Sequence, residues 1–313
     1  MRYVLKKTAA MLITVLLVSF FVFLAFQVIP GDPATAMLGT SATKEKVEAL
    51  REQLGLNRPL LMRYLEWLKS FFFGDMGISY SYGISVRSMI AGKVPVTLAL
   101  TLMSFLLILL LSVPVGIKTA EYEDRLISKI SDGIGQVVMA VPPFFTGILL
   151  TYVLGLLLHL FTPGGYVSYT NDMGGFLYYL LFPAIAIALP KAAMTTKLLK
   201  SSLFKEAKLD YVRTAYSRGN STRDVLYRHV LKNAIIPVIT FLGMTLSDIV
   251  AGSLIVEQVF SIPGIGRLLI TSISNRDYPV VSAIISIVAF IVIIINFIVD
   301  ILYQLIDPRT AQT

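Results

Sequence analysis

Residues 200–233 read KSSLFKEAKLDYVRTAYSRGNSTRDVLYRHVLKN, and they stand between long segments almost without charge. This stretch holds eight Lys or Arg against three acids. Outward from it the chain turns apolar in both directions, and the contrast decides the class. Of 313 residues, 56% are hydrophobic and only 15% charged, the balance of a polytopic membrane protein. The net charge of +8 comes from Lys and Arg flanking apolar runs. Cytoplasmic loops of membrane proteins collect such residues, so the charge does not indicate nucleic acid binding. There are no cysteines, which excludes disulfides, thiolate metal sites and cysteine nucleophiles.

A bilayer-crossing helix needs about 20 apolar residues. Six segments meet this: 8–31, 94–117, 134–160, 173–190, 234–256 and 278–299. The third sits in an uncharged stretch, 133–171, that also supplies a Gly- and Tyr-rich turn, PGGYVSYTND. The first, preceded by Arg2, Lys6 and Lys7, has the charge pattern of a signal peptide with Ala34-Thr35-Ala36 as a weak cleavage site. Its apolar run is too long for that, and it is read as an uncleaved span. With the N-terminus inside, the inner segments carry three Lys/Arg before the first span, three in 118–132, ten in 191–233 and one in the tail. The outer segment 161–172 carries none and 257–277 carries two, so both termini are predicted to be cytoplasmic. The outer segment 32–93 carries eight, but long loops obey this rule poorly.

That outer segment has patterning of its own. Thr43 can cap a helix with Val47, Leu50 and Leu54 on one face. RPLLMRYLEWLKSFFFGD follows, with Tyr64, Trp67 and Phe71-Phe72-Phe73. Two readings stay open: an amphipathic helix on the membrane surface anchored by aromatics, and a docking surface for an extracytoplasmic partner.

Within the basic loop, Leu203, Ala207 and Tyr211 recur at helical spacing, and Gly219 falls where a helix ending needs positive φ. Ser221 can cap a second helix over 222–234, with Asp224 as its capping-box-like partner, and Pro237 opens the fifth span. Such a short helix can seat in a groove of a soluble partner, or be an ordinary solvated loop near headgroups.

The run DYVRTAYSRGNSTRDVLYRHVLKNAIIPVIT (210–240) resembles the signature loop of bacterial ABC-transporter permeases of the dipeptide, oligopeptide and nickel importer branch. GDPA at 31–34, LGLNRPLLMRYLEWL at 54–68, GDMGISY at 74–80 and VPPFFTG at 141–147 are similar to that family as well. VEQVFSIPGIGRLL at 256–269, NRDYPVV at 275–281 and VDILYQLIDPR at 299–309 complete the resemblance, which runs nearly the whole chain in order. The general permease loop has Glu-Ala-Ala, three residues, then Gly. Here Arg213, Thr214 and Ala215 stand at those positions, so only Ala215 and Gly219 match, and the distance from Gly219 to Pro237 is longer than in the general pattern.

The resemblance implies an all-α integral membrane subunit with six transmembrane helices, type I ABC importer permease-like. Its parts are expected as 1–30 with the first span, an extracytoplasmic segment 31–93, and a core 94–313 carrying the coupling loop 200–233. It implies import of peptides, or of nickel or a metal chelate, across a bacterial or archaeal cytoplasmic membrane. The implied partners are a second permease subunit, two cytoplasmic ATP-binding subunits, an extracytoplasmic solute-binding protein and membrane lipid. Arg213, Thr214, Ala215, Gly219, Ser221, Asp224 and Arg228 would couple to the ATPase. ATP and Mg²⁺ would sit on the partners and no cofactor on this chain. The sequence agrees that no phosphate loop is present: Lys93 follows Gly92, but Val94 replaces the hydroxyl residue and the leading Gly is missing.

Inside the spans, Asp248 is the charge to explain. It can face the pathway and attract a cationic group, pair with a basic residue of a partner subunit, or accept hydrogen bonds from Thr245 or Ser247. Pro142-Pro143 should kink the third span, as a gate or as a fixed bend, and Pro190-Lys191 is expected to mark the inner end of the fourth. Glu257, Pro263, Gly264 and Gly266 are read as an external turn after the fifth span, serving a gate, a docking site or geometry alone. His159 and His229 are expected on opposite sides of the membrane and cannot share a metal. A self-contained secondary transporter is the competing function, opposed by the scarcity of intramembrane charge. A membrane enzyme lacks any nucleophile–base pair.

Overall fold

A computed structural model describes residues 2–28, 33–38, 42–53, 55–123 and 125–306. Leu54 of the predicted helix face lies outside the described residues. Among those described, the chain is helical, with one isolated bridge between Ile78 and Ser85 in place of any sheet. Five helical segments are long and apolar enough to cross a bilayer: Leu5–Gln27, Val86–Glu121, Met173–Ala207, Ile236–Val259 and Tyr278–Gln304. The sixth predicted span is a pair of helices, Leu126–Ala140 and Pro143–Leu157, bent by 103°.

That break follows from local chemistry. A residue before proline is pushed out of the helical region. Val141 and Pro142 both precede a proline, and both are extended (ψ 122° and 146°). Pro143 then begins the next helix at a position where its missing N–H costs nothing. The fourth span behaves in the opposite way. It runs unbroken from Met173 to Ala207 through Pro183 and Pro190, so Pro190-Lys191 does not end it. Pro190 forfeits one hydrogen bond, to the carbonyl of Ala186, and the buried alanines Ala186, Ala188 and Ala192 surround that turn with compact packing. A long apolar helix tolerates this loss.

Contacts divide the fold into two compact units, Met1–Val96 with Pro263–Ile294, and Thr97–Ile262 with Ile295–Thr313. The first contains α1 (Arg2–Val28), α2 (Pro33–Leu38), α3 (Lys44–Gln53), α4 (Leu60–Phe72) and α5 (Val86–Ala91). Thr43 does cap α3, accepting from the Lys46 amide at 3.4 Å. On α4 the aromatic stripe turns toward protein, not solvent. Tyr64 donates to the Leu16 carbonyl (3.1 Å) and meets the Ser19 hydroxyl (2.8 Å). Phe20, Phe23 and Trp67 close around that contact, and Phe71 and Phe72 pack on Phe290. Asp277, wholly buried, accepts from the Ser79 hydroxyl, from the Tyr80 amide (2.9 Å) and from the Ser81 amide (3.4 Å), and so pins the 77–85 loop.

The second unit contains most of α6 (Val94–Glu121), then α7 (Leu126–Ala140) and α8 (Pro143–Leu150), which continues as a π-helical turn over Thr151–Leu157. Next come α9 (Met173–Ala207), α10 (Asp210–Ser217), α11 (Thr222–Asp224), a π-helical turn Val225–Val230, α12 (Leu231–Ala234) and α13 (Ile236–Val259). α14 (Ile265–Ser274) and most of α15 (Tyr278–Ile306) belong to the first unit. α6 and α9 approach closely at Gly116, where an added Cβ would stand 2.9 Å from Leu199. At the opposite end of α9, Phe161, Tyr179, Phe182 and Phe260 form an aromatic cluster. Tyr179 there donates to the Phe260 carbonyl at 2.7 Å.

Candidate functional site

The 208–234 loop is built as two short helices around a glycine. α10 ends at Ser217, and Gly219 takes φ 82°, the conformation expected of a helix-ending glycine. A Cβ at Gly219 would meet no atom within 4 Å, so the demand for glycine there is purely conformational. Ser221 caps the next helix by accepting from the Asp224 amide (3.2 Å), and its hydroxyl donates to the Asp224 carboxylate (2.7 Å). Asn220 closes the turn on the Ala215 carbonyl at 2.9 Å. Pro237 opens α13, as the sequence suggested.

The inner side of this loop is packed. Val212, Ala215, Val225, Val230 and Ala234 are buried, as are Leu199 and Leu203 of α9. Tyr211 donates to Glu206 (2.8 Å) and accepts from Asn233 (3.1 Å), bridging the end of α9 to α12. Burial, together with the Glu206 hydrogen bond, pushes the Tyr211 phenol above its ordinary pKa. Arg223 reaches Glu121 at the end of α6 (3.3 Å), and Lys200 of α9 reaches Asp132 of α7 (2.6 Å). Sequence reading found neither acid, because the pairs join residues far apart in the chain.

The outer side carries the predicted coupling residues. Arg213, Thr214, Gly219 and Ser221 are exposed, while Ala215 faces inward. Arg213 pairs with Asp210 (3.7 Å) and Arg228 with Asp224 (3.5 Å), both within the loop, with the arginine side chains 81% and 78% exposed. These exposures decide the point: the cations are presented to solvent, and their exposed pairs add little. The geometry is that of a rigid, basic, protruding helical turn.

The intramembrane candidates fall apart from this loop and from one another. Asp248 lies midway along α13 and pairs with Lys191 of α9 at 2.5 Å, a partner within the same chain that the three readings of Asp248 did not include. Ser247 instead donates to Asn296 (3.1 Å). The Asp248 side chain is 59% exposed against 22% for Lys191, so the carboxylate looks out of this chain. Glu257 is not in the external turn. It sits in the last turn of α13, wholly buried, and accepts from Thr97 at 2.5 Å. The turn comprises Phe260–Gly264, with Ser261 at φ 55° and Gly264 leading into α14. Pro142 stands at the break between α7 and α8. Beside that break, α6, α7 and α9 line an open groove of about 680 Å³ with apolar walls such as Leu111 and Ile134, and with Lys197 and Lys200 among its polar groups.

Among the described residues, five long apolar helices, one broken pair and a packed basic loop define a multi-pass membrane protein. The sequence of the whole chain then gives the family. Residues 112–312 match the model of the binding-protein-dependent transport system inner membrane component, and residues 1–101 match the N-terminal model of the same membrane components. The chain belongs to this family of ABC importer permeases and is a transport subunit. It is 35% identical over 313 residues to the oligopeptide transport system permease protein AppB of Bacillus subtilis, covering 98% of each chain. It is 33% identical over 308 residues to the glutathione transport system permease protein GsiC of Escherichia coli, again covering 98% of each.

Proposed function

We propose that this chain is one of two permease subunits of an ATP-driven peptide importer in a bacterial cytoplasmic membrane. The named relatives handle oligopeptides and glutathione, itself a short peptide, and this supports a peptide substrate over nickel or a metal chelate. The observation that carries the mechanism is the Gly219 turn, packed on its inner side and cationic on its outer side. A rigid protrusion can transmit a push, whereas a solvated loop would absorb it. Two cytoplasmic subunits bind ATP and Mg²⁺, and one of them seats the 210–230 segment in a groove. Arg213, Thr214, Gly219, Ser221, Asp224 and Arg228 form or shape the contact, and Ala215 packs its inner side. An extracytoplasmic binding protein delivers the peptide, and alternating access moves it between the two permeases. Lys and Arg placement sets both termini inside.

Within the spans, Asp248 faces the route shared with the second permease. A carboxylate at that depth does not face acyl chains, and Lys191 stabilises its charge from behind. Pro142 fixes the bend beside the route, while Glu257, Pro263 and Gly264 shape its outer end.

The test is affinity purification from native membranes of wild type and of an Arg213→Glu/Arg228→Glu variant, both positions being exposed. Wild type should bring down a second permease and ATP-hydrolysing subunits, and the variant should keep the permease and lose the ATPases. Purified wild type that comes alone and moves solute down an ion gradient would overturn the reading in favour of a secondary transporter.

A further inference from the structure

One of the two readings of the 58–75 sequence lays α4 on a membrane surface, but the partners of α4 lie deep. Phe26 of α1 and Tyr278 of α15 touch (6.1 Å between rings) and mark one level of the first unit. The Tyr64 hydroxyl of α4 reaches Leu16 and Ser19, and Leu16 is the midpoint of the apolar run Leu5–Gln27. Phe71 and Phe72 pack on Phe290, twelve residues along α15 from Tyr278. At about 1.5 Å per residue along each helix, the Leu16 contact lies about 15 Å, the Ser19 contact about 10 Å and the Phe290 contacts about 18 Å from the Phe26–Tyr278 level, while Trp67 meets Phe23 about 5 Å from it. Half a hydrocarbon core is about 15 Å.

The connection leaving α4 rises from this level. Phe72 stacks on Phe290, yet Ser79 already binds Asp277, thirteen residues back along α15. Part of that climb is made by the side chains of Phe72, Phe290 and Asp277, because the chain is still wound in a helix-ending turn at Gly74, with the Asp75 amide on the Ser70 carbonyl (2.9 Å). Gly74 and Gly77, both at φ 84°, begin that climb.

We infer that α4 is sunk into the acyl layer of one leaflet, wedged against α1 and α15, with lipid tails as the partner of its remaining apolar face. That leaflet is the outer one in the orientation proposed above, and the inference does not otherwise depend on the importer reading. Three faces of the helix fit the assignment. Tyr64 and Phe71 are buried against the spans. Leu61, Leu65, Phe72 and Phe73 are exposed by 62%, 55%, 62% and 80%, a continuous apolar surface at the depth of acyl chains. Arg63, Glu66, Lys69 and Ser70 form the remaining stripe, with Glu66 paired to Arg58 (2.7 Å), and the long stems of Arg58, Arg63 and Lys69 can lift charge toward the headgroups. A surface-lying helix would bury only its apolar side, by about 5–10 Å.

The experiment uses the chain's single tryptophan, Trp67. The full complex is reconstituted in phosphatidylcholine bilayers carrying bromine either in the middle of the acyl tails or next to the headgroup. Fluorescence is read as the difference between wild type and Trp67→Phe, which removes the partners' contribution. A second reporter, Leu65→Trp in the Trp67→Phe background, samples the exposed face with an apolar replacement. Stronger quenching of both reporters by mid-tail bromine than by headgroup bromine, and resistance to aqueous iodide, is the expected result. Quenching by iodide, or by headgroup bromine alone, would return α4 to the surface and overturn the inference. Quenching of neither reporter by any agent would mean that protein covers the face, and would overturn it as well.

Discussion

The two excursions between spans, 58–85 and 208–234, are held down by different chemistry. The first is fixed by large aromatic rings and one buried carboxylate: Tyr64, Trp67 and Phe71 on the spans, and Asp277 under the 77–85 loop. The second is fixed by small side chains and short polar contacts: Ala215, Val225, the Ser221–Asp224 cap and the Tyr211 bridge. Rings bury much area on few residues and lock a segment against a flat helix surface. Caps and small residues instead set the shape of a segment while leaving its outer face free for charge. One excursion is built to stay in place, and the other is built to be held by something else.

Removing the carboxylate that anchors the first region is the strongest way to break this contrast. Asp277→Ala leaves the Ser79 hydroxyl and the Tyr80 and Ser81 amides without their acceptor, at about 3 kcal/mol or more. The 77–85 loop should become protease-sensitive in membranes, and the melting temperature of the detergent-solubilised complex should fall. An unchanged cleavage pattern would show that the loop is held by other means. Next in size is Gly219→Val, which forces a β-branched residue to φ 82° at a cost of about 1–2 kcal/mol. Here function should suffer more than stability. ATP hydrolysis in proteoliposomes should persist while peptide uptake falls, with membrane insertion unchanged, and full uptake would remove the turn from the coupling mechanism. Tyr64→Phe deletes only the hydroxyl contacts to Ser19 and Leu16, so about 0.5–1 kcal/mol is expected in chemical denaturation. The smallest effect belongs to Arg223→Ala. Its arginine is 74% exposed, and loss of the Glu121 contact should cost well under about 1 kcal/mol and leave the melting temperature within error.

What the sequence made legible was whatever depends on neighbours along the chain. Charge-free runs disclosed the spans, and the Gly219, Ser221 and Asp224 signals disclosed the loop, because capping and positive φ act within four residues. The Pro142-Pro143 break was visible for the same reason, although its size, 103°, was not. What stayed hidden depends on which surfaces meet. Lys191 and Asp248 are far apart in sequence, so neither announces the other. Tyr64 and Trp67 read as anchors to lipid headgroups because ring chemistry alone does not say whether a ring will find a membrane or the side of α1. Pro190 read as a helix end because its local penalty is plain, while the packing that absorbs it is not.

The unbroken length of α9 has a mechanical consequence. Thirty-five residues make a rod of about 52 Å, about 20 Å longer than the hydrocarbon layer it crosses. Its C-terminal end carries Tyr211's partner Glu206, and Lys191 lies near its middle. A tilt of about 5° about the centre would swing each end by about 2 Å while scarcely displacing Lys191. Motion imposed at the C-terminal end would thus reappear, reversed in sense, beside the Phe161–Tyr179–Phe260 cluster at the far end, with the Lys191–Asp248 pair close to the fulcrum.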